Sequence, residues 1–140
     1  MKKKRIVALD VGTKKVGIAR SDLLHITATP IGAFPPRKVA EVLLKMEATE
    51  GGIEEIVVGW PLTPNGKEAK AIQMVRSFLG ELVKSFPDTP IVKRDERFTS
   101  VLARRALIES GRKKKIREKR GMLDQTAAAL ILQEYLDELS

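Results

Sequence analysis

The order of extended and helical runs constrains this chain more than any single residue does. Three β-type runs come first, at residues 5–9, 16–19 and 26–34, before any helical spacing appears. The first ends on Asp10, and a turn-rich stretch containing Gly12 leads into the second, which reads as a hairpin. Pro30 edges or interrupts the third run. Helical spacing begins at residues 38–49, with Val39, Val42, Leu43 and Met46 on one side and Gly51-Gly52 as the stop. Residues 53–59 are apolar and β-branched, a buried strand, and residues 60–64 read as loop. Asn65, with Glu68 three residues on, predicts a helix start. That helix would cover residues 65–86, with Ala69, Ile72, Val75, Phe78, Leu79 and Leu82 on one face. A short strand at 91–94 follows Pro87 and Pro90. Thr99 or Ser100 can cap a helix ending near Gly111, and a last helix is expected over 121–139. Three antiparallel strands followed by crossovers give an α/β fold, a mixed sheet with helices on both faces.

A chain of 140 residues that is 43% hydrophobic has enough material for one domain, taken as residues 1–140, with a mainly aliphatic core. No apolar run approaches the roughly 20 residues of a membrane span. The charged start is followed by only four apolar residues before Asp10, far short of a secretory core. A cytoplasmic protein with no membrane partner is expected. With no cysteine there is no disulfide framework, zinc–thiolate site or thiol nucleophile. A lone histidine, His25, argues against a Ser-His-Asp triad or a multi-histidine metal site.

The formal net charge is +8, and its distribution is uneven. Residues 93–121 hold 12 Lys/Arg against 4 Asp/Glu, whereas the rest of the chain holds 14 of each. A basic field confined to one segment suits a polyanion, because phosphate contacts release counterions. A charge run is more often a solvated face. Here, however, it joins two segments that each carry a noteworthy carboxylate. The candidate phosphate contacts are Lys14 and Lys15 beside Asp10, Arg97 beside Glu96, and Arg112, Lys113, Lys114, Lys115, Arg117, Lys119 and Arg120. The last seven are expected in a mobile connector.

Three acids stand out. Asp10 ends the first strand, at the sheet edge where ligands sit in open α/β sheets; a turn-capping role is the plain alternative. Glu96 follows the last strand. Alone it reads as a surface acid paired with Arg94 or Arg97, but a parallel strand would bring it to the edge that carries Asp10. Asp124 opens the last helix, with Ala127, Ala128 and Ile131 on its side at i+3, i+4 and i+7. A carboxylate on a packed face is either buried at a cost or used; the alternative is an acid favoured by the helix dipole. Three converging acids can hold Mg²⁺, a hard ion that prefers oxygen ligands. Such a site can orient a water and stabilise a leaving oxygen of a phosphodiester.

Four blocks of the sequence resemble the YqgF/RuvX family of pre-16S rRNA nucleases, also described as Holliday-junction-resolvase-like. They are LDVGTKKVGIARSD at 9–22, IVVGWPL at 56–62 with Asn65-Gly66, DERFTS at 95–100, and GMLDQTAA at 121–128 running into LILQEYL at 130–136. Each is weak alone; together, in the family's order, they span nearly the whole chain. The resemblance implies a ribonuclease-H-like five-stranded sheet with Asp10, Glu96 and Asp124 as catalytic metal ligands. It also implies Mg²⁺ or Mn²⁺, and a nucleic-acid substrate, RNA ahead of branched DNA. The activity implied is phosphodiester hydrolysis in 5′-end maturation of precursor 16S rRNA, on ribosomal precursor particles, by a monomer or homodimer. Three features depart from the pattern. Trp60 stands where a smaller aliphatic residue is expected. Ala127 occupies the position of a further acid in related resolvases, so a two-metal site would need Asp22, Asp95 or substrate oxygens. The basic segment is long.

Other readings stay open at this level. Asp10-x-Gly-Thr also resembles the phosphate-binding turn of the actin, heat-shock-protein and sugar-kinase ATPases, which clamp ATP between two such domains. A Holliday junction resolvase acting on branched DNA is a second alternative. A nucleic-acid-binding module that has lost its chemistry is a third.

Overall fold

The computed structural model describes residues 3–62, 65–96 and 113–140, and the side chains of its last helix from Thr126 onward. Five strands form one sheet: β1 (Arg5–Val11), β2 (Val16–Ser21), β3 (Ala28–Phe34), β4 (Ile53–Trp60) and β5 (Ile91–Asp95). Their order is β3-β2-β1-β4-β5. β1 pairs antiparallel with β2, and β2 with β3, while β4 is parallel to both β1 and β5. The mixed sheet expected from the run order is therefore present. The hairpin between β1 and β2 closes on a hydrogen bond from the Gly12 N–H to the Lys15 carbonyl, 2.9 Å. A Cβ at Gly12 would stand 2.7 Å from that same carbonyl oxygen, so this tight turn excludes a side chain.

Alternation along the strands sends side chains to two separate cores. Val7, Leu9, Val16, Ile18, Ile56 and Val58 pack under α1 (Val39–Glu50) and α2 (Ile72–Ser85). Ile6, Ala8, Ala19 and Val57 pack under α3 (Lys113–Leu139), through Ala127, Ala128, Ile131, Leu132 and Leu136. Helices thus cover both faces. α1 buries Val39, Leu43 and Met46 and stops at Gly51, whose φ of 94° is the left-handed cap that glycine supplies.

α3 is tied to both edges of the sheet. Gln133 Oε1 accepts from the Ala28 N–H at 3.0 Å, and its Nε2 donates to the Ile26 carbonyl at 2.9 Å. Arg94 on β5 donates to both Glu138 oxygens, at 2.6 and 2.9 Å. The Tyr135 hydroxyl donates to Glu55 at 2.6 Å. Burial and that acceptor push Tyr135 up to about 12.

Three local expectations are corrected. Asn65 does not cap α2, which begins at Ile72. Its side chain instead accepts from the Lys67 N–H at 3.4 Å, in a turn where Gly66 takes φ 85°. Asx-turn chemistry competed with the cap and won. Gly121 does not open the last helix, which starts at Lys113. Lys113, Lys114, Lys115, Arg117, Lys119 and Arg120 are therefore helical rather than a connector. Unbranched Lys, Arg and Glu favour helix enough to offset one glycine. Finally, Trp60 is not in a loop. It closes β4, buried in the α1/α2 core, with Lys93 Nζ 4.2 Å and Arg76 Cζ 5.7 Å from its ring centre. The helix expected over residues 99–111 lies outside the described residues.

Candidate active site

Because β1, β4 and β5 are mutually parallel, their carboxyl ends share one edge of the sheet. Asp10 lies in the last turn of the pleat of β1, opposite Gly17, with Val11 following it in the strand. It is 2% exposed. Ile6 and Ala8 face α3, so alternation puts Asp10 on that face too. Glu96 comes directly after β5 and is 7% exposed. It keeps the phase of Val92, which packs in the α3 core. Its carboxylate lies over Gly59 of β4: a Cβ built there would be 2.5 Å from Glu96 Oε1 and 3.0 Å from Ile131 Cδ1. The β1–β4 register pairs Leu9 with Val58, so the next step sets Asp10 beside Gly59. Two of the three acids singled out from the sequence are thus brought to one edge and one face of the sheet, on strands that flank β4.

Asp124 lies within α3, and its side chain is outside the described residues. The course of the helix is informative. Tyr135 meets Glu55 near the start of β4, and Ile131 meets the Gly59 position near its end. α3 therefore runs against β4, and its earlier residues lie toward the edge that carries Asp10 and Glu96. Asp124 precedes Ile131 by seven residues, about two turns. Ala127 and Ala128, at i+3 and i+4, are both buried against the sheet.

The other acids considered as ligands separate clearly. Asp22 is at the opposite edge, after β2, where its Oδ1 accepts from the Ile26 and Thr27 N–H groups at 2.7 and 2.9 Å. Those backbone donors hold its carboxyl below the usual carboxylate range. Asp95 pairs with Trp60, and alternation puts it on the α2 face. Neither extends the Asp10–Glu96 pair. His25 also sits at the far edge, its ring Nε2 2.7 Å from the Lys4 carbonyl oxygen.

Lys14 and Lys15 are exposed in the β1–β2 turn, next in the chain to the edge that bears Asp10. Arg97 and Arg112 lie outside the described residues. Lys113, Lys114 and Lys115 occupy the first turn of α3. Reasoning on charged groups does not single out Gly59, the position over which the Glu96 carboxylate lies. Its signal lay in the second motif block, which contains no acid.

An antiparallel three-stranded start, parallel β4 and β5, and a helix laid across the face that bears two buried acids define a ribonuclease-H-like fold. RuvC of Thermus thermophilus shares it: its complex with a Holliday junction substrate aligns with a TM-score of 0.54 over 97% of this chain and 95% of that one, at 12% identity. A second Thermus thermophilus RuvC structure aligns at 0.52. The family model described as "RuvX: Holliday junction resolvase" matches residues 4–138. The chain belongs to the RuvX family. It is 42% identical over 137 residues to a protein of Chlorobaculum tepidum, covering 98% of this chain and 96% of that one. It is 40% identical over 134 residues to one of Chlorobium phaeobacteroides, covering 96% and 92%. Both relatives carry the name "Putative pre-16S rRNA nuclease".

Proposed function

We propose that this chain is a metal-dependent nuclease acting as one domain on precursor 16S rRNA, with Asp10, Glu96 and Asp124 as its ligand set. The observation that carries the proposal is the pair of buried carboxylates, Asp10 and Glu96, on one face of one sheet edge. Carboxylate oxygens are the donors that Mg²⁺ or Mn²⁺ prefers. The absence of a Cβ at Gly59 leaves room for the Glu96 oxygens between the strands, so the residues present fit such an ion. When bound, the ion would supply a Lewis acid and a site for the attacking water. Asp10 and Glu96 hold that site in a largely water-excluded setting, where fixed charges act more strongly. Asp124, on the early part of α3, is the third member of the set. Lys14, Lys15 and Arg97, with Arg112, Lys113, Lys114, Lys115, Arg117, Lys119 and Arg120, hold the substrate's phosphates. No helix among the described residues is long and apolar enough to cross a membrane. The reading places the protein in the cytoplasm, where ribosomal precursor particles are made.

The names of the relatives favour rRNA, while the description of the family model favours branched DNA. One assay separates the two. Labelled precursor rRNA 5′ ends, short single-stranded RNA and a four-way junction are incubated with the protein and Mg²⁺. Selective, EDTA-sensitive cleavage of the precursor is expected. Selective cleavage of the junction would shift the assignment to a resolvase. No metal-dependent cleavage of any substrate would overturn the enzyme reading in favour of an inert binding module.

A further inference from the structure

Three of the four motif blocks contain one of the candidate acids, and the block at 56–62 contains none. We infer that Gly59 in this block is a positioning residue for Glu96: its missing side chain is the space in which the Glu96 carboxylate reaches across β4 toward Asp10. The inference rests on the metal-site reading above.

Glycine at this place is not explained by backbone conformation. The glycines with positive φ among the described residues are Gly32, Gly51, Gly52 and Gly66, and Gly59 is not one of them. Space explains it. β4 lies between β1 and β5, so any side chain on its α3 face at residue 59 would stand between Asp10 and Glu96. A Cβ there would lie 2.5 Å from Glu96 Oε1, 3.3 Å from Glu96 Cδ and 3.0 Å from Ile131 Cδ1. Contacts at the first distance are not tolerated, so the carboxylate would have to move. The preceding residue on the same face, Val57, carries an ordinary side chain into the α3 core. The gap is thus local to the level of the acids.

Two neighbours fill that gap, so Gly59→Ala alone would disturb both the helix and the carboxylate. Ile131→Val removes the Cδ1 atom and relieves the helix contact. Gly59→Ala combined with Ile131→Val therefore leaves chiefly the clash with Glu96. The test is Mn²⁺ binding, read from the loss of the free-ion signal in electron paramagnetic resonance, with thermal melting in parallel. It compares wild type, Ile131→Val, Gly59→Ala/Ile131→Val and Asp10→Asn. The double variant is expected to melt with Ile131→Val yet bind Mn²⁺ roughly 10–100-fold more weakly, the range seen when groups that orient metal ligands are altered. Binding equal to that of Ile131→Val, with Asp10→Asn still defective, would overturn the positioning role and leave the metal site standing. Equal binding by wild type and Asp10→Asn would overturn the metal reading, and this inference with it.

Discussion

Ala128→Leu probes how closely α3 must lie on the sheet. Ala127 and Ala128 on the helix face Ala8 and Ala19 on the strands, and all four are almost fully buried. Small residues on both sides set the helix-to-sheet separation. Leucine adds three carbons at a position with 0% exposure. Given room, each would gain about 0.8 kcal/mol. Without room, overpacking costs about 1–3 kcal/mol. For a domain of this size each kcal/mol shifts melting by roughly 3–5 °C, so a fall of roughly 3–15 °C is expected by calorimetry. Cleavage should fall further than stability explains. Residue 124 lies one turn before residue 128, and a displacement near 1 Å at a reacting site can cost about 10²-fold. The assay is single-turnover cleavage at a temperature where the variant stays folded. Ala129→Leu, on the half-buried flank of the helix, should lose less by both measures. Wild-type melting and wild-type cleavage in Ala128→Leu would refute the close-packing argument.

Asp10→Asn keeps the shape of the buried side chain but removes the charge a hard cation needs; folded protein with cleavage reduced by at least about 10²-fold is expected, and near-wild-type activity would sink the mechanism. Replacing Lys113, Lys114 and Lys115 with Gln should weaken binding of all tested nucleic acids by a similar factor and lower the log–log salt slope by up to about 0.7–0.9 per lost contact. Fluorescence anisotropy across a salt series measures both, and an unchanged slope would remove these lysines from the interface. Tyr135, the sole tyrosine, should ionise near pH 12 in the alkaline difference spectrum, against the usual 10.0, because burial and its bond to Glu55 both favour the neutral hydroxyl. A raised folded-state value means that its stabilising contribution is complete below about pH 10 and is lost as pH rises toward 12; Tyr135→Phe should abolish both the absorbance change and that part of the pH dependence.

The strands were legible because their apolar, β-branched runs are bounded by turn residues, and the mixed sheet followed from their order. Helix limits were less so. Asn65 offers the same side-chain oxygen to an Asx turn as to a helix cap, and local sequence does not say which donor it finds. Gly121 reads as punctuation in a window of a few residues, whereas α3 runs straight through it. The shared edge of Asp10 and Glu96 was legible only through topology, since 85 residues separate them in the chain. The face each acid occupies needed the packing of Ala8, Val92 and Ile131. Asp22 and Asp95 entered the sequence reading only as residues that could complete a two-metal site, and the direction of β2 and the pleat of β5 set both apart from Asp10 and Glu96. Trp60 looked like an intrusion into a loop, and its burial beneath Lys93 had no local signal.

β3 is an outer strand, and it carries two devices against accidental strand addition. Pro30 has no N–H to offer, and the register with β2 slips beside it, leaving Ile31 as an extra residue. Proline and bulges of this kind blunt a sheet edge that would otherwise template another chain. Both features disfavour the addition of a further strand on this flank. A symmetric pair formed by two copies would join through helices or loops there, rather than by extending the sheet across β3.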